Sequence, residues 1–535
     1  MVGAATARRR PRRDLRADGE RPRLRSRQRL SARRQKKDAE SRREQLFDII
    51  RELVQWENSN NPDVLKRAND AIWASWRETC ELNKKHPQAA TLFNPEVLPA
   101  FHDPFAGGGA LPLEAQRLGL AAYASDLNPV AVMINKAMLD IPPRFAGIRP
   151  IGPLPAGEQQ SGMTQGWPGT SGLAESVRRY GHWIRDEAAK RIGHLYPTIT
   201  ITAEMCATRP DLKPLLGQKL TVIAWLWART VKSANPAFSH CRVPLVSSFI
   251  LSSKAGKETY VEPVISGDSY RFEVKRGKLP ENLKDGTVNR SGGTCILSNT
   301  AMPFKYIREE GAAGRMGSRL MAIVAEGEKG RVYLSPTDEA EEIAKNVDPS
   351  WKPETELQGK SKVNVGNYGI LTFGDLFTAR QLTALSTFSD LVQAAKDRIS
   401  ADARAAGMTD DSIGLAQGGS GATAFAEAVA VYLALGLSRL TDICNAMCRW
   451  ENTKTQVRNL FGRQAIPMVW DFAENNVFAG AAGDYMVSLA NLLKAVDKLP
   501  SINQSINQSI NQSINQSIIP LITYNRRMPA YKPSA

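Results

Sequence analysis

Two carboxylates and a run of glycines carry the chemistry of this 535-residue chain. Asp103 stands in Phe101-His-Asp-Pro-Phe-Ala-Gly-Gly-Gly109, and Asp126 follows 23 residues later in Tyr123-Ala-Ser-Asp-Leu-Asn-Pro129. Glycines lack a Cβ, so the backbone turns tightly and a ligand can come close to it. An acidic residue at the end of the second strand of a βαβ unit is placed to accept hydrogen bonds from ribose hydroxyls. A glycine cluster alone fits an ordinary βαβ turn. Combined with the spaced Asp126 it has the layout of a nucleotide-cofactor pocket.

The flanking residues predict the elements that hold this pocket. Val97-Leu-Pro-Ala-Phe101 reads as a buried strand ending in Asp103. A helix follows, with Leu111, Leu113, Ala115 and Leu118 at core spacing and Gly119 as its stop. Residues 121–125 form a second short strand that ends at Asp126. Asn128 caps the next helix and Pro129 is its first residue.

Length allows two to four domains, and charge is unevenly spread. Residues 1–43 hold 17 Lys/Arg against 5 Asp/Glu, a net of +12 within a total of +16. The basic character is therefore mostly an N-terminal arm. It suits salt-sensitive, sequence-blind contact with phosphates, and equally a solvated, unstructured tail. No secretory segment is evident, and the longest apolar run, Val429 to Leu437, is too short to span a bilayer. Six scattered cysteines point to a reducing compartment, so a cytoplasmic protein is expected.

Further along, residues 44–78 read as two helices, the first with the stripe Leu46, Ile49, Ile50 and Leu53. A Pro/Gly-rich linker covers 141–171, and Leu173 to Leu195 is helical. Residues 221–336 change to short β-rich runs, including Val243 to Leu251, Thr259 to Ile265, Tyr270 to Val274, Leu320 to Ala325 and Arg331 to Leu334. Residues 374–399 and 421–450 are helical again, and Phe461 to Phe478 is irregular. The expected divisions are an unstructured basic arm (1–40), helices plus the cofactor unit (41–140) and linker with helices (141–220). A β-rich insert (221–340), a helical region (341–498) and a low-complexity tail (499–535) follow.

The strand-end Asp-Pro-Phe-x-Gly-x-Gly resembles the cofactor motif of amino-methylating, S-adenosylmethionine-dependent DNA methyltransferases. Other segments extend the likeness. They are Trp56-Glu-Asn-Ser-Asn-Asn-Pro62, Ala124-Ser-Asp-Leu-Asn-Pro-Val-Ala-Val132, Pro143-Arg-Phe145, Trp225-Leu-Trp-Ala-Arg-Thr-Val231, Phe461-Gly-Arg-Gln-Ala465 and Val469-Trp-Asp-Phe-Ala-Glu474. Residues 40–495 thus resemble a family of adenine-specific DNA methylases with a zinc-ribbon-like insert, some of them associated with anti-phage defence. The resemblance implies an α/β fold, a Rossmann-like methyltransferase core with a β-rich insert and additional helices. It implies S-adenosylmethionine as cofactor, held by Asp103, Phe105, Ala106, Gly107 and Gly109, with Asp126 and Leu127 on the ribose side. DNA is the implied partner, without a membrane.

Departures from the family qualify this. The ribbon's cysteine pairs are reduced to Cys241 and Cys295, with Ser233, Phe238 and Ser298 at the other places, so no zinc site is expected. Cys444 and Cys448, at i and i+4 on an apolar helix, read as core. The family's aromatic- and His-containing N-terminal segment is replaced by the Arg-rich arm. Finally, an Asp/Asn-Pro-Pro-Tyr loop, which would grip a flipped base, is missing. Asp140-Ile-Pro-Pro-Arg144 has an inserted residue and a charge where the ring belongs, and Met528-Pro-Ala-Tyr531 lacks the acceptor.

The place of that loop is taken by Ser501-Ile-Asn-Gln, repeated four times, with Ser517-Ile518 beginning a fifth copy. It has no apolar face to build a core. The codons TCA-ATC-AAT-CAA spell a tetranucleotide three times over and encode this peptide. A slipping tract would change frame, leaving the catalytic loop to a downstream reading frame or a partner subunit. The chain is then a truncated or frameshifted family member, weakly active or inactive alone. A non-catalytic protein binding nucleic acid or a partner on the same fold, or an RNA or small-molecule methyltransferase, also fits the residues.

Overall fold

The computed structural model describes residues 21–158, 166–283 and 285–499. The Ser-Ile-Asn-Gln tract, the tail after it with Met528 to Tyr531, and the first twenty residues lie outside the described residues. Two compact units are present. The smaller holds everything described up to Phe101 together with Glu114–Ala122, and the larger holds the rest.

In the smaller unit, helix α1 (Arg21–Leu53) begins inside the segment expected to be an unstructured arm. Arg, Lys, Gln and Leu are strong helix formers, and no Gly or Pro follows Pro22 in this helix, so helix propensity prevails even where no core can form. Its apolar stripe is half covered: Ile49 and Leu53 are partly buried, Leu46 and Ile50 exposed. Helix α2 (Pro62–Leu82) opens on Pro62, and the Asn61 side chain accepts the Asp63 N–H (3.1 Å). Within the same unit the Asn69 amide donates to the Leu118 carbonyl (2.7 Å).

The predicted βαβ order is present as β1 (Phe101–Asp103), α3 (Ala110–Arg117), β2 (Ala122–Ala124) and α4 (Pro129–Asn135). The two strands pair only with each other, and run parallel. The Phe101 N–H donates to Ala121 (2.7 Å) and the Ser125 N–H to Asp103 (2.9 Å). The expected buried strand from Val97 shrinks to three residues, Phe101 and Asp103 half-buried and His102 exposed, and Val97 itself is exposed. Pro99 has no N–H to donate, and one neighbour cannot bury both faces. On α3, Ala115 is buried as expected, whereas Leu111 is exposed. Asn128 caps α4 through its side chain, and Pro129 opens it, as the spacing predicted.

The larger unit is mixed α/β. Its main elements after α4 are, in order, α5 (Ser171–Ile192), β3 (Val222–Lys232), β4 (Arg242–Leu245), β5 (Thr259–Ser266), β6 (Ser269–Arg276), β7 (Gly317–Gly327), β8 (Gly330–Leu334), α6 (Asp338–Lys345), α7 (Ala379–Ala405), α8 (Ala422–Thr441), β9 (Asp471–Asn475) and α9 (Tyr485–Val496). The central sheet is antiparallel, in the order β8-β7-β3-β9, with β4 also on β3. The β-rich stretch is therefore no detached insert: four of its strands make this sheet with β9, which comes from more than 130 residues downstream.

Strand β3 is an almost unbroken apolar run because both its faces are covered. Trp225 and Trp227 point into a core shared with Tyr180, Phe388 and Phe425 of α5, α7 and α8. The alternate residues Ala224, Leu226 and Ala228 face a second core with Val243 and Val324. Helix α8 is long and apolar enough to cross a membrane, yet 61% of its apolar window is buried within the fold. It ends at Thr441, so Cys444 and Cys448 lie in the following turn rather than on the helix, and both are buried.

Candidate functional site

The glycine loop is organised by backbone hydrogen bonds to its two carboxylates. Asp103 ends β1, and its Oδ1 accepts the Phe105 N–H (3.1 Å), which starts the turn. The Ala106 N–H then donates to the Ser125 carbonyl (3.0 Å), fastening the loop to the end of β2. The Gly107 N–H donates to Asp126 Oδ2 (2.8 Å), while Asp126 Oδ1 accepts the Asn128 N–H (2.8 Å). The N–H groups of Asn128 and Gly107 hold the Asp126 carboxyl below its ordinary pKa. The seven residues singled out in the sequence, Asp103, Phe105, Ala106, Gly107, Gly109, Asp126 and Leu127, thus fall in one loop cluster of the larger unit.

Gly107 (φ +50°) and Gly109 (φ +76°) both take left-handed conformations that side chains disfavour. A Cβ on Gly107 or Gly108 would meet nothing within 4 Å, so that side of the loop is open to a ligand. A Cβ on Gly109 would lie 2.6 Å from Asn135 Oδ1. Asn135 was missed in the sequence. It is 4% exposed, and its amide donates to the carbonyls of Gly107 (3.0 Å) and Ala131 (2.8 Å), forming the floor of the loop. The available signal was a polar residue on the core-facing side of Pro129-Val-Ala-Val-Met-Ile-Asn135.

Above the loop the apolar side chains are uncovered. Phe105 is 79% exposed and Leu127 95%. Asp126 takes a backbone N–H on each oxygen and stays partly exposed. The cluster therefore offers a partly exposed carboxylate, an open glycine face and two uncovered apolar side chains. Those groups suit a ligand with hydroxyls and a flat apolar ring.

Asp140 and Arg144 do a different job. They pair with each other in a buried helical turn, and Arg144 also donates to the carbonyls of Leu415 (3.1 Å) and Gly419 (2.9 Å). The segments Trp225 to Val231 and Val469 to Glu474 lie side by side, with Ala228 opposite Asp471 and Trp225 opposite Glu474. Glu474 accepts from Trp227 Nε1 (2.8 Å), the Thr378 hydroxyl (2.6 Å), Arg380 Nε (3.1 Å) and Arg380 Nη2 (2.7 Å). Arg380 is completely buried over the Trp225 ring, 4.0 Å from its centroid.

At the expected ribbon position, Cys241 and Cys295 are both buried, and the Ser233 hydroxyl donates to the Cys295 sulfur (3.3 Å). Burial raises the Cys241 thiol to about 11. Burial would also raise Cys295, but hydrogen bonds from Ser233 and Ser298 outweigh it and bring that thiol below its ordinary value. His240 is not aimed at them; its ring nitrogen Nε2 lies 3.0 Å from the Asp268 carbonyl. No cluster of three or more His, Cys, Asp or Glu suited to a metal occurs among the described residues.

No protein-family model, curated protein or solved structure matches the chain.

Proposed function

We propose that this chain binds S-adenosylmethionine at the Asp103–Gly109 loop, on a Rossmann-like core, as a member of the adenine-specific DNA methylase group its motifs resemble. The observation carrying this is the Gly107–Asp126 bond, which joins both sequence motifs at one end of a parallel strand pair. Asp103, Phe105, Ala106, Gly107 and Gly109 would line the cofactor, and Asp126 with Leu127 would take the ribose side. When bound, the cofactor supplies an electrophilic methyl group on sulfur. Asp126 orients it through its partly exposed carboxylate, and the uncovered Phe105 and Leu127 exclude water from the ring they flank.

Methylating an exocyclic amine also needs an acceptor and a stacking ring for the flipped base. The nearest candidate among the described residues, Asp140 to Arg144, is consumed by its own ion pair and two carbonyls. In this reading the chain holds cofactor without transferring methyl on its own, and a partner subunit or the product of a downstream reading frame supplies the loop. Helix α1, with twelve Lys/Arg against five Asp/Glu, would hold DNA phosphates in a salt-dependent way. Six unpaired, buried cysteines fit a cytoplasmic restriction or anti-phage role.

Calorimetry with S-adenosylmethionine tests the pocket. The expected result is binding by the full chain, lost by a factor of about 100 or more in Asp126→Ala, since two backbone clamps and the ribose acceptor go together. Unchanged affinity in that variant would overturn the assigned pocket. Radiolabelled methyl transfer to DNA, RNA and cell extract is expected to be absent without added partner; transfer by the chain alone overturns the missing-loop part.

A further inference from the structure

The larger unit contains a cleft of about 560 Å³ that the cofactor reading does not use. It is lined by Thr230, Arg242, Gly317, Ser318 and Arg319 on the sheet side and by Asp338, Glu341, Glu342 and Lys345 of α6. The volume lies in the range of small-molecule sites, but every lining residue is polar, charged or glycine. The lining charges also sum to zero, with Arg242, Arg319 and Lys345 against Asp338, Glu341 and Glu342, so a strongly anionic or cationic ligand finds no net attraction.

Four of the six lining charges are not neutralised within the cleft. Glu341 and Lys345 pair on α6. Arg319 is instead held by stacking, its guanidinium 4.5 Å from the centre of the Tyr270 ring. The Tyr270 hydroxyl donates to the Arg242 carbonyl (2.7 Å), and Arg242 Nη1 donates to the Arg315 carbonyl (2.7 Å). Neither arginine has a carboxylate within the 4.0 Å that defines an ion pair among the described residues. Asp338 and Glu342, on the α6 wall, likewise have no cationic partner among the described residues. Gly317 keeps the space between Arg242 and Thr230 open, because a Cβ there would come within 3.2 Å of both side chains.

Two arginines fixed by uncharged contacts keep planar donors free for a carboxylate. Asp338 and Glu342, exposed on the helix that lines the same cleft, can take an ammonium. We infer that this cleft binds a small zwitterion, an α-amino acid or short peptide, with its carboxylate on Arg242 and Arg319 and its ammonium on Asp338 and Glu342. The inference is independent of the glycine loop.

Calorimetry with L-alanyl-L-alanine, its N-acetyl form and its C-terminal amide tests it on the full chain. The free dipeptide is expected to bind, and each blocked form at least tenfold more weakly, because each removes one of the two charges. Arg319→Gln and Glu342→Gln are each expected to weaken the free dipeptide tenfold or more. Arg319 also stacks on Tyr270, so its variant is checked by thermal melting. Glu342 is exposed on α6, and its variant keeps the test decisive if the other fails to fold. No binding of the free dipeptide, equal binding of the blocked forms, or unchanged affinity in Glu342→Gln would overturn the proposal.

Discussion

Asp126 and Glu474 both stand at the C-terminal end of a strand in motif segments of this chain, and their surroundings are opposite. Glu474 is 1% exposed and accepts four hydrogen bonds, two of them from a fully buried guanidinium. It has no capacity left for a ligand. Asp126 accepts two, both from backbone N–H groups, and sits in an open loop beside the uncovered Phe105 and Leu127. Motif segments that look alike as sequence therefore divide into scaffold and site according to whether the fold has used up their polar capacity.

The largest expected effect breaks the scaffold side. Glu474→Ala leaves Arg380 charged and buried with the Leu195 carbonyl as its one remaining hydrogen-bond partner among the described residues, at a cost of about 3–5 kcal/mol. Urea denaturation of the larger unit should show that loss. Replacing both partners by apolar residues of similar volume, as in Glu474→Leu with Arg380→Met, should recover most of it, because no lone charge remains. A stable Glu474→Ala protein that fails to bind S-adenosylmethionine would move Glu474 from scaffold to site and dissolve the contrast.

Legibility in the sequence follows the same division. The glycine loop, Asp126, the Asn128 cap and Pro129 could be located because each answers to a local rule of backbone conformation or capping. The strands around Leu320 and Tyr270 were equally visible as apolar, β-branched runs, whereas the one around Trp225 lay inside the β-rich stretch without being singled out. The partner of β3 was not visible. Pairing Trp225 with Glu474 spans nearly 250 residues, and nothing local in Val469-Trp-Asp-Phe-Ala-Glu474 specifies it. Arg380 was invisible for a related reason: in sequence it is one charge near the start of a long helix, and only the folded sheet supplies its counter-ion. Asn135 fell between the two cases, since its position was odd but its partner, the Gly107 carbonyl, lies across the loop.

An intermediate effect is expected on the site side. Gly109→Ala places a methyl 2.6 Å from Asn135 Oδ1 at a φ of +76°, which costs about 1–3 kcal/mol and shifts the loop floor. Gly108→Ala, at the neighbouring residue, meets no protein atom within 4 Å and has no positive φ. Cofactor titrations should therefore show a loss of tenfold or more for both variants, the first through a shifted loop floor and the second because its methyl enters the open ligand face, while thermal melting should show destabilisation in the first alone. Unchanged cofactor affinity in Gly108→Ala would mean that the loop is not the ligand-bearing surface, and Asp126 would then be scaffold as well.

The smallest effect tests the carboxylate between these extremes. Asp471 lies on β9 three residues before Glu474, partly buried, with the Ser247 N–H donating to it (2.7 Å). Burial raises it from the ordinary 3.8 to about 6, against the opposing pull of Ser247. The folded value is above the unfolded one, so its stabilising contribution is complete below pH 4 and is lost as pH rises through 6. Because the group is partly exposed, the loss is on the order of 1 kcal/mol rather than the full linkage value. Asp471→Asn keeps an acceptor for Ser247 and removes the titration. The unfolding free energies of the two proteins should diverge between pH 4 and 7, with the variant the more stable at pH 7. A difference that stays constant across that window would place Asp471 with the well-solvated Asp126 instead of the buried Glu474.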